Sequence, residues 1–181
     1  MSFGEAIKSV FSKYATFSGR ARRSEYWYFY LFYFLVDLAL GCIPFLSALS
    51  VVWWLAVLIP SLAVTVRRFH DIGKSGWNYL IIVIPELTLM GYLFYNIINV
   101  IKEMVDAGFK YYNMADSVRA FLDRIMTNSS FLSTLGVLIF IDLVVTILWL
   151  VWMTRDSQPG ENEWGPNPKE VPSESNSGMN Y

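Results

Sequence analysis

The chain has 181 residues, 55% of them hydrophobic and 17% aromatic but only 16% charged, against about 25% charged in an average soluble domain. The apolar residues cluster in runs such as Leu46 to Val66 and Phe131 to Val151, which argues for spans in a bilayer and against a soluble core. The net charge of −1 says little, because sidedness is what matters in a membrane protein, and the single cysteine, Cys42, excludes an intramolecular disulfide and a multi-cysteine zinc site.

Residues 1–18 open the chain with Phe3, Ile7, Val10, Phe11, Tyr14 and Phe17 on one helical stripe and Glu5, Lys8, Ser9, Ser12 and Lys13 turned mostly away. This is the pattern of an amphipathic helix lying in the interface. It lacks the apolar core and small-residue cleavage site of a signal peptide and is expected to be retained. Gly19 is placed to end it. Arg20, Arg22 and Arg23 then precede Tyr26-Trp27-Tyr28, a basic cluster leading into an aromatic belt, as at the cytoplasmic start of a span.

The expected spans are 26–45, 51–66, 77–101 and 131–153, within a transmembrane domain of residues 19–154. Between the second and third lies a charged turn, Arg67 to Trp77, carrying Arg67, Arg68, His70, Asp71 and Lys74. Span three contains Pro85, which should kink it. The outer segment 102–130 is charged, with Ala115, Val118, Leu122 and Ile125 at helical spacing, and is expected to form an extramembrane helix. The tail, 155–181, is rich in Pro, Gly, Asn, Ser and Glu, and its end is expected to be disordered. Of the 14 Lys and Arg residues, ten fall in segments assigned inside and four in the outer segment, which places both termini in the cytoplasm. The fold class is therefore all-α integral membrane: a four-span transmembrane helical bundle with an N-terminal amphipathic helix.

Three separated motifs resemble one family: Gly19-Arg20-Ala21-Arg22-Arg23-Ser24-Glu25-Tyr26-Trp27, the Arg67 to Trp77 turn, and Pro159-Gly160-Glu161-Asn162-Glu163-Trp164-Gly165-Pro166-Asn167-Pro168. In this order, with apolar spans between them, they are similar to the bacterial inner-membrane proteins grouped as domain of unknown function 805, the YhaH-like family. The resemblance covers residues 1 to 92 and 155 to 168. It implies a small multi-pass protein of the bacterial inner (cytoplasmic) membrane with no assigned activity. The chain departs from the family pattern in carrying an extra loop and a fourth span before the tail, and in having Glu163 where a basic residue is usual.

Two sets of side chains are candidates for a site. Arg20, Arg22, Arg23, Arg67, Arg68 and Lys74, with His70 and Asp71, form a basic inner face, and clustered guanidinium groups suit anionic lipid headgroups. The plainer reading is that these cations set topology, with Asp71 paired to an arginine. The second set, Asp37, Glu86 and Asp142, interrupts three spans at about 15–18 Å from their cytoplasmic ends at 1.5 Å per residue. Acids at that depth line ion paths or are protonated and hydrogen-bonded for packing.

Gly73-Lys74-Ser75 is not a phosphate-binding loop, since Arg68 stands where the first glycine is required. One histidine leaves too few ligands for a metal phosphohydrolase site at His70-Asp71. No metal, cofactor or nucleic-acid partner is expected. The first functional reading is a non-enzymatic component binding anionic membrane lipid or a membrane-protein partner. The alternative is a homo-oligomeric transporter or channel for protons or cations, and the third a lipid-modifying enzyme using His70 and Asp71. The tail is expected to fold back on the basic face, with Glu161 or Glu163 meeting Arg20 or Arg67.

Overall fold

The computed structural model describes residues 1–43, 47–106, 116, 119, 122–123 and 126–170. The described chain is helical, with α1 at Phe3–Ser12, α2 at Arg23–Cys42, α3 at Ser47–Asp71, a 3-10 turn at Gly76–Tyr79, α4 at Leu80–Asp106 and α5 at Ser129–Thr154. It forms two compact units, one made of Met1–Tyr79 with the chain from Leu150 onward, the other of Leu80–Trp149.

Three described helices are long and apolar enough to cross a membrane: Ala48–Asp71, Gly76–Glu103 and Ser129–Thr154. The expected first span, α2, is not among them, because Tyr26, Tyr28, Tyr30, Tyr33 and Asp37 dilute its apolar content. The extramembrane helix expected within 102–130 and the disordered end of the tail fall largely outside the described residues. Lys102 to Asp106 extend α4 beyond the expected end of span three.

The amphipathic helix is shorter than its stripe. It starts at a capping box, in which Ser2 Oγ accepts from Glu5 N at 3.3 Å and Glu5 Oε2 accepts from Ser2 N at 2.7 Å. These bonds hold the Glu5 carboxyl below its ordinary range. It ends at Ser12, before the weak helix formers Tyr14 and Thr16, rather than at Gly19. Gly19 instead turns the chain into α2 at φ 85°. Ala6 and Val10 are buried, and Phe11 meets Phe29 and Phe32 of α2 edge to face at 5.9 and 6.3 Å.

α2 in turn packs on α3. Phe32 and Tyr33 meet Trp53 at 5.7 and 6.4 Å, and the Tyr30 and Thr65 hydroxyls lie 3.1 Å apart. In the second unit Tyr92 stacks on Phe131 at 5.7 Å, while most other large side chains of α4 and α5, including Leu87, Met90, Phe94, Phe140 and Leu143, point outward. That outward apolar surface matches a hydrocarbon surrounding.

Pro60, buried inside α3, explains where α1's exit goes. Proline has no N–H, so the carbonyl four residues earlier, Ala56 O, loses its helical donor. Tyr14 Oη donates to that oxygen at 2.6 Å. Tyr14→Phe should therefore lower stability by about 1 kcal/mol. In a Pro60→Ala background the restored N–H can serve Ala56 O, so the same change should have a smaller effect. Thermal unfolding of the four proteins in detergent measures this, and equal Tyr14→Phe losses in both backgrounds would refute it.

Candidate functional site

The charged stretch after α3's apolar run is helical through Asp71, so only Ile72–Ser75 form the turn. The turn therefore begins at Ile72 and not, as expected, at Arg67. The helix continues because its last residues find partners elsewhere in the chain. A helix end leaves its final carbonyls without intrahelical donors. Here Phe69 O accepts from Lys74 N at 2.9 Å, His70 O from Asn162 Nδ2 at 2.9 Å, and Asp71 O from Gln158 N at 2.8 Å. One turn earlier, Arg67 O accepts from Ala21 N at 3.0 Å, which fastens the α1–α2 linker to α3.

Asp71 is the centre of the assembly and has no exposed surface. Its Oδ1 accepts from Arg20 Nε at 3.1 Å, and its Oδ2 from Arg68 Nη1 at 2.5 Å and Ser157 Oγ at 2.7 Å. Arg20, 7% exposed, spends its other donors on the tail backbone: Nη1 on Gly160 O at 2.7 Å and Gly165 O at 3.2 Å, Nη2 on Gln158 O at 2.5 Å. The tail does fold back on the basic cluster, but through carbonyls. Glu161 and Glu163 stay exposed. Arg20 shares the Asp71 carboxylate with Arg68, and its remaining N–H groups are taken up by backbone acceptors of the tail.

Arg68, fully buried, reaches the end of α5, donating from Nε and Nη2 to Met153 O at 3.3 and 3.2 Å and from Nη2 to Arg155 O. A guanidinium there satisfies orphan carbonyls and faces the negative end of the helix dipole. Arg67, 1% exposed, pairs through Nη1 with Glu25 Oε1 at 3.4 Å, and Ser9 Oγ donates to the same oxygen at 3.1 Å. His70 Nδ1 lies 3.1 Å from Gly19 O, and its ring stacks on Trp164 at 4.5 Å with 7° between planes. Gly73, at φ 74°, sits so close to Gln158 that a Cβ would lie 2.6 Å from Oε1, so this turn needs glycine.

The eight basic-face candidates thus divide. Arg20, Arg67, Arg68, His70 and Asp71 are interior: Arg20 and Arg68 bind Asp71 and backbone carbonyls, His70 faces Gly19 O, and Arg67 pairs with Glu25 and donates from Nε to Ala63 O, while its Nη1 and Nη2 make no hydrogen bond among the described residues. Arg22 is half-buried, with Nη2 donating to Pro168 O. The Arg23 side chain is 46% exposed, 3.8 Å from Asp156, and Lys74 Nζ sits 4.8 Å over Trp152. Lys169 donates to Asp156, which together with the Ser157 N–H holds that carboxyl below its ordinary range. A cavity of about 550 Å³ opens beside the knot, lined by Lys13, Arg20, Arg22, Glu25, Trp164 and Pro168 among others. Lys13, Gln158 and Trp164 take part here without having been candidates; of the three only Trp164 lay within a motif, that of the tail, and Gln158 stands just before it. Of the interrupting acids, Glu86 and Asp142 share the second unit, whereas Asp37 lies on α2 in the first.

The three sequence motifs therefore meet in one place. The sequence profile of the family "protein of unknown function (DUF805)" matches residues 14–166, and the chain belongs to that family. Among its relatives, the inner membrane protein YhaI of Escherichia coli K12 is 40% identical over 82 residues, which cover 42% of this chain and 70% of YhaI. The inner membrane protein YhaH of the same strain is 32% identical over 99 residues, covering 50% of this chain and 79% of YhaH. This is thus a membrane protein of an inner-membrane family whose activity is unassigned. No solved structure matches the chain.

Removing one partner of a buried ion pair leaves an uncompensated charge. Arg68→Ala should destabilise the protein by about 3–5 kcal/mol, and Arg20→Lys should also be damaging, because an ammonium cannot reproduce the planar fork. Arg23→Ala, at an exposed pair, should stay within about 1 kcal/mol. Chemical unfolding in detergent ranks the three; a tolerated Arg68→Ala would contradict the role assigned to the knot.

Proposed function

We propose that this chain is a four-span protein of the cytoplasmic membrane, with both termini inside, whose cytoplasmic-side module binds anionic phospholipid at the inner leaflet. In this reading α2 is the first span: its 20 residues reach about 30 Å at 1.5 Å per residue, enough for the hydrocarbon core. The observation that carries the proposal is the division of the cations. Arg20, Arg67 and Arg68 are consumed internally, while Lys13, Arg22, Arg23 and Lys74 around the same knot keep contact with solvent. Beside them, α1 and the residues after it expose Phe3, Tyr14 and Phe17, an aromatic edge suited to the headgroup boundary. Cations at that level attract anionic lipid by roughly 1 kcal/mol each.

Two measurements test this. A green fluorescent protein fused after Tyr181 should fluoresce in cells, and an active periplasmic phosphatase at the same position would overturn the orientation. Native mass spectrometry of the purified protein should show phosphatidylglycerol retained over phosphatidylcholine, with retention falling as salt rises. Equal retention of the two lipids would reject the lipid reading.

One observation favours a second reading, a small oligomeric path for protons or cations. Asp142 Oδ1 is buried with no hydrogen-bond partner among the described residues, in the same unit as Glu86. Under this reading liposomes carrying the protein show a cation- or pH-driven flux that Glu86→Gln removes. A parent protein without flux eliminates it.

A further inference from the structure

We infer that the cavity beside Arg20 is a binding site for a phosphodiester monoanion, held by Lys13 and Arg22 and walled by the tail. The inference rests on the lipid reading above and gives it a location. Its argument is charge that the fold leaves uncommitted. The cavity is lined by four cationic groups, the Met1 amino group, Lys13, Arg20 and Arg22, and by two acids, Glu5 and Glu25, which leaves it net positive.

Most of these groups are already engaged. Glu25 is paired with Arg67 and takes the Ser9 hydroxyl. Glu5 accepts from Ser2 N in the capping box. Every guanidinium nitrogen of Arg20 donates to Asp71 or to the tail. Two side chains remain. Lys13 Nζ has no partner among the described residues, and Arg22 uses only Nη2, toward Pro168 O. A guanidinium carries five N–H donors in a planar fork, so Nε and Nη1 are left for a ligand.

Two uncommitted cationic side chains on a net-positive lining suit a phosphate group, and at the inner leaflet the headgroup phosphodiester of an anionic lipid supplies one. A volume of about 550 Å³ lies within the usual range for a small-molecule site. Trp164, Pro166 and Pro168 supply a flat apolar wall for the non-ionic part of the headgroup. Because His70 stacks on Trp164, that wall is fixed to the end of α3. The same chemistry is available from a phosphatidylglycerol headgroup or from its soluble counterpart, glycerophosphoglycerol.

The experiment titrates the full-length protein in detergent with phosphatidylglycerol, phosphatidylcholine and glycerophosphoglycerol by native mass spectrometry. At roughly 1 kcal/mol per cation, Lys13→Gln alone should weaken phosphatidylglycerol about fivefold and Lys13→Gln with Arg22→Gln about thirtyfold. Arg23 already faces Asp156 and Lys74 the Trp152 ring, so neither brings a free cation to the cavity, and Arg23→Gln with Lys74→Gln should change phosphatidylglycerol binding less than about threefold. Lys13 lies outside the knot, so its single variant keeps the test valid if the double variant misfolds; an unchanged unfolding midpoint verifies this. If the parent selects phosphatidylglycerol but the Lys13 and Arg22 variants bind as tightly, the cavity assignment is wrong and the lipid reading survives. If the parent shows no lipid preference yet binds glycerophosphoglycerol through Lys13 and Arg22, the cavity stands and the lipid reading falls. Binding of neither ligand overturns both.

Discussion

A single buried carboxylate, that of Asp71, sets the terms for the first unit. It stands at the C-terminal end of α3, where the helix dipole opposes a negative charge, and it has no access to water. Burial of that kind is tolerated only when paired charges and hydrogen bonds replace the lost hydration. The replacements come from three distant parts of the chain: Arg20 from the linker before α2, Arg68 from the preceding turn of α3, and Ser157 from the segment after α5. Linker, helix end and tail are thereby obliged to meet. Each arginine then extends the contact outward, Arg20 to the tail carbonyls and Arg68 to the end of α5.

Much of this fold was legible in the sequence. Long apolar runs located α3, α4 and α5 to within a few residues, since a lipid-facing helix must be apolar over its whole length. The three motifs marked the residues that converge. What the pattern concealed was the direction of the basic side chains. Arg67 and Arg68 interrupt an apolar run, and a local reading takes interruption as exposure. Only Glu25 and Asp71, together with the carbonyls of Met153 and Arg155, make their burial possible, and those partners are set by tertiary contact. The tail was hidden for a related reason. Its docking uses backbone oxygens, which every residue possesses, so the acids Glu161 and Glu163 drew attention that belonged to Gly160 and Gly165.

The candidate site shows the same split between legible and concealed. That cations gather beside the first span was visible from Arg20, Arg22 and Arg23. Which of them remain available to a ligand depends on counting donors against acceptors in the folded knot. Lys13 illustrates the point: it stood among the polar residues of the amphipathic stripe, yet it lies one residue past the end of α1 and lines the cavity. Trp164 is similar, an aromatic in a turn-rich tail whose place is explained by the ring of His70.

The first unit is discontinuous: residues up to Tyr79 are completed by residues from Leu150 onward, with the whole second unit strung between them. On the ribosome this imposes an order of events. At about 5–20 residues per second, α1 to α3 are made several seconds before Met153, Arg155 and Ser157 exist. During that interval Arg68 and Asp71 have each other but neither the α5 carbonyls nor the seryl hydroxyl, and Arg20 has no tail to hold. The knot can close only after the whole second unit has been made. A chain without the end of α5 would leave Arg68 without the carbonyls that make its burial possible.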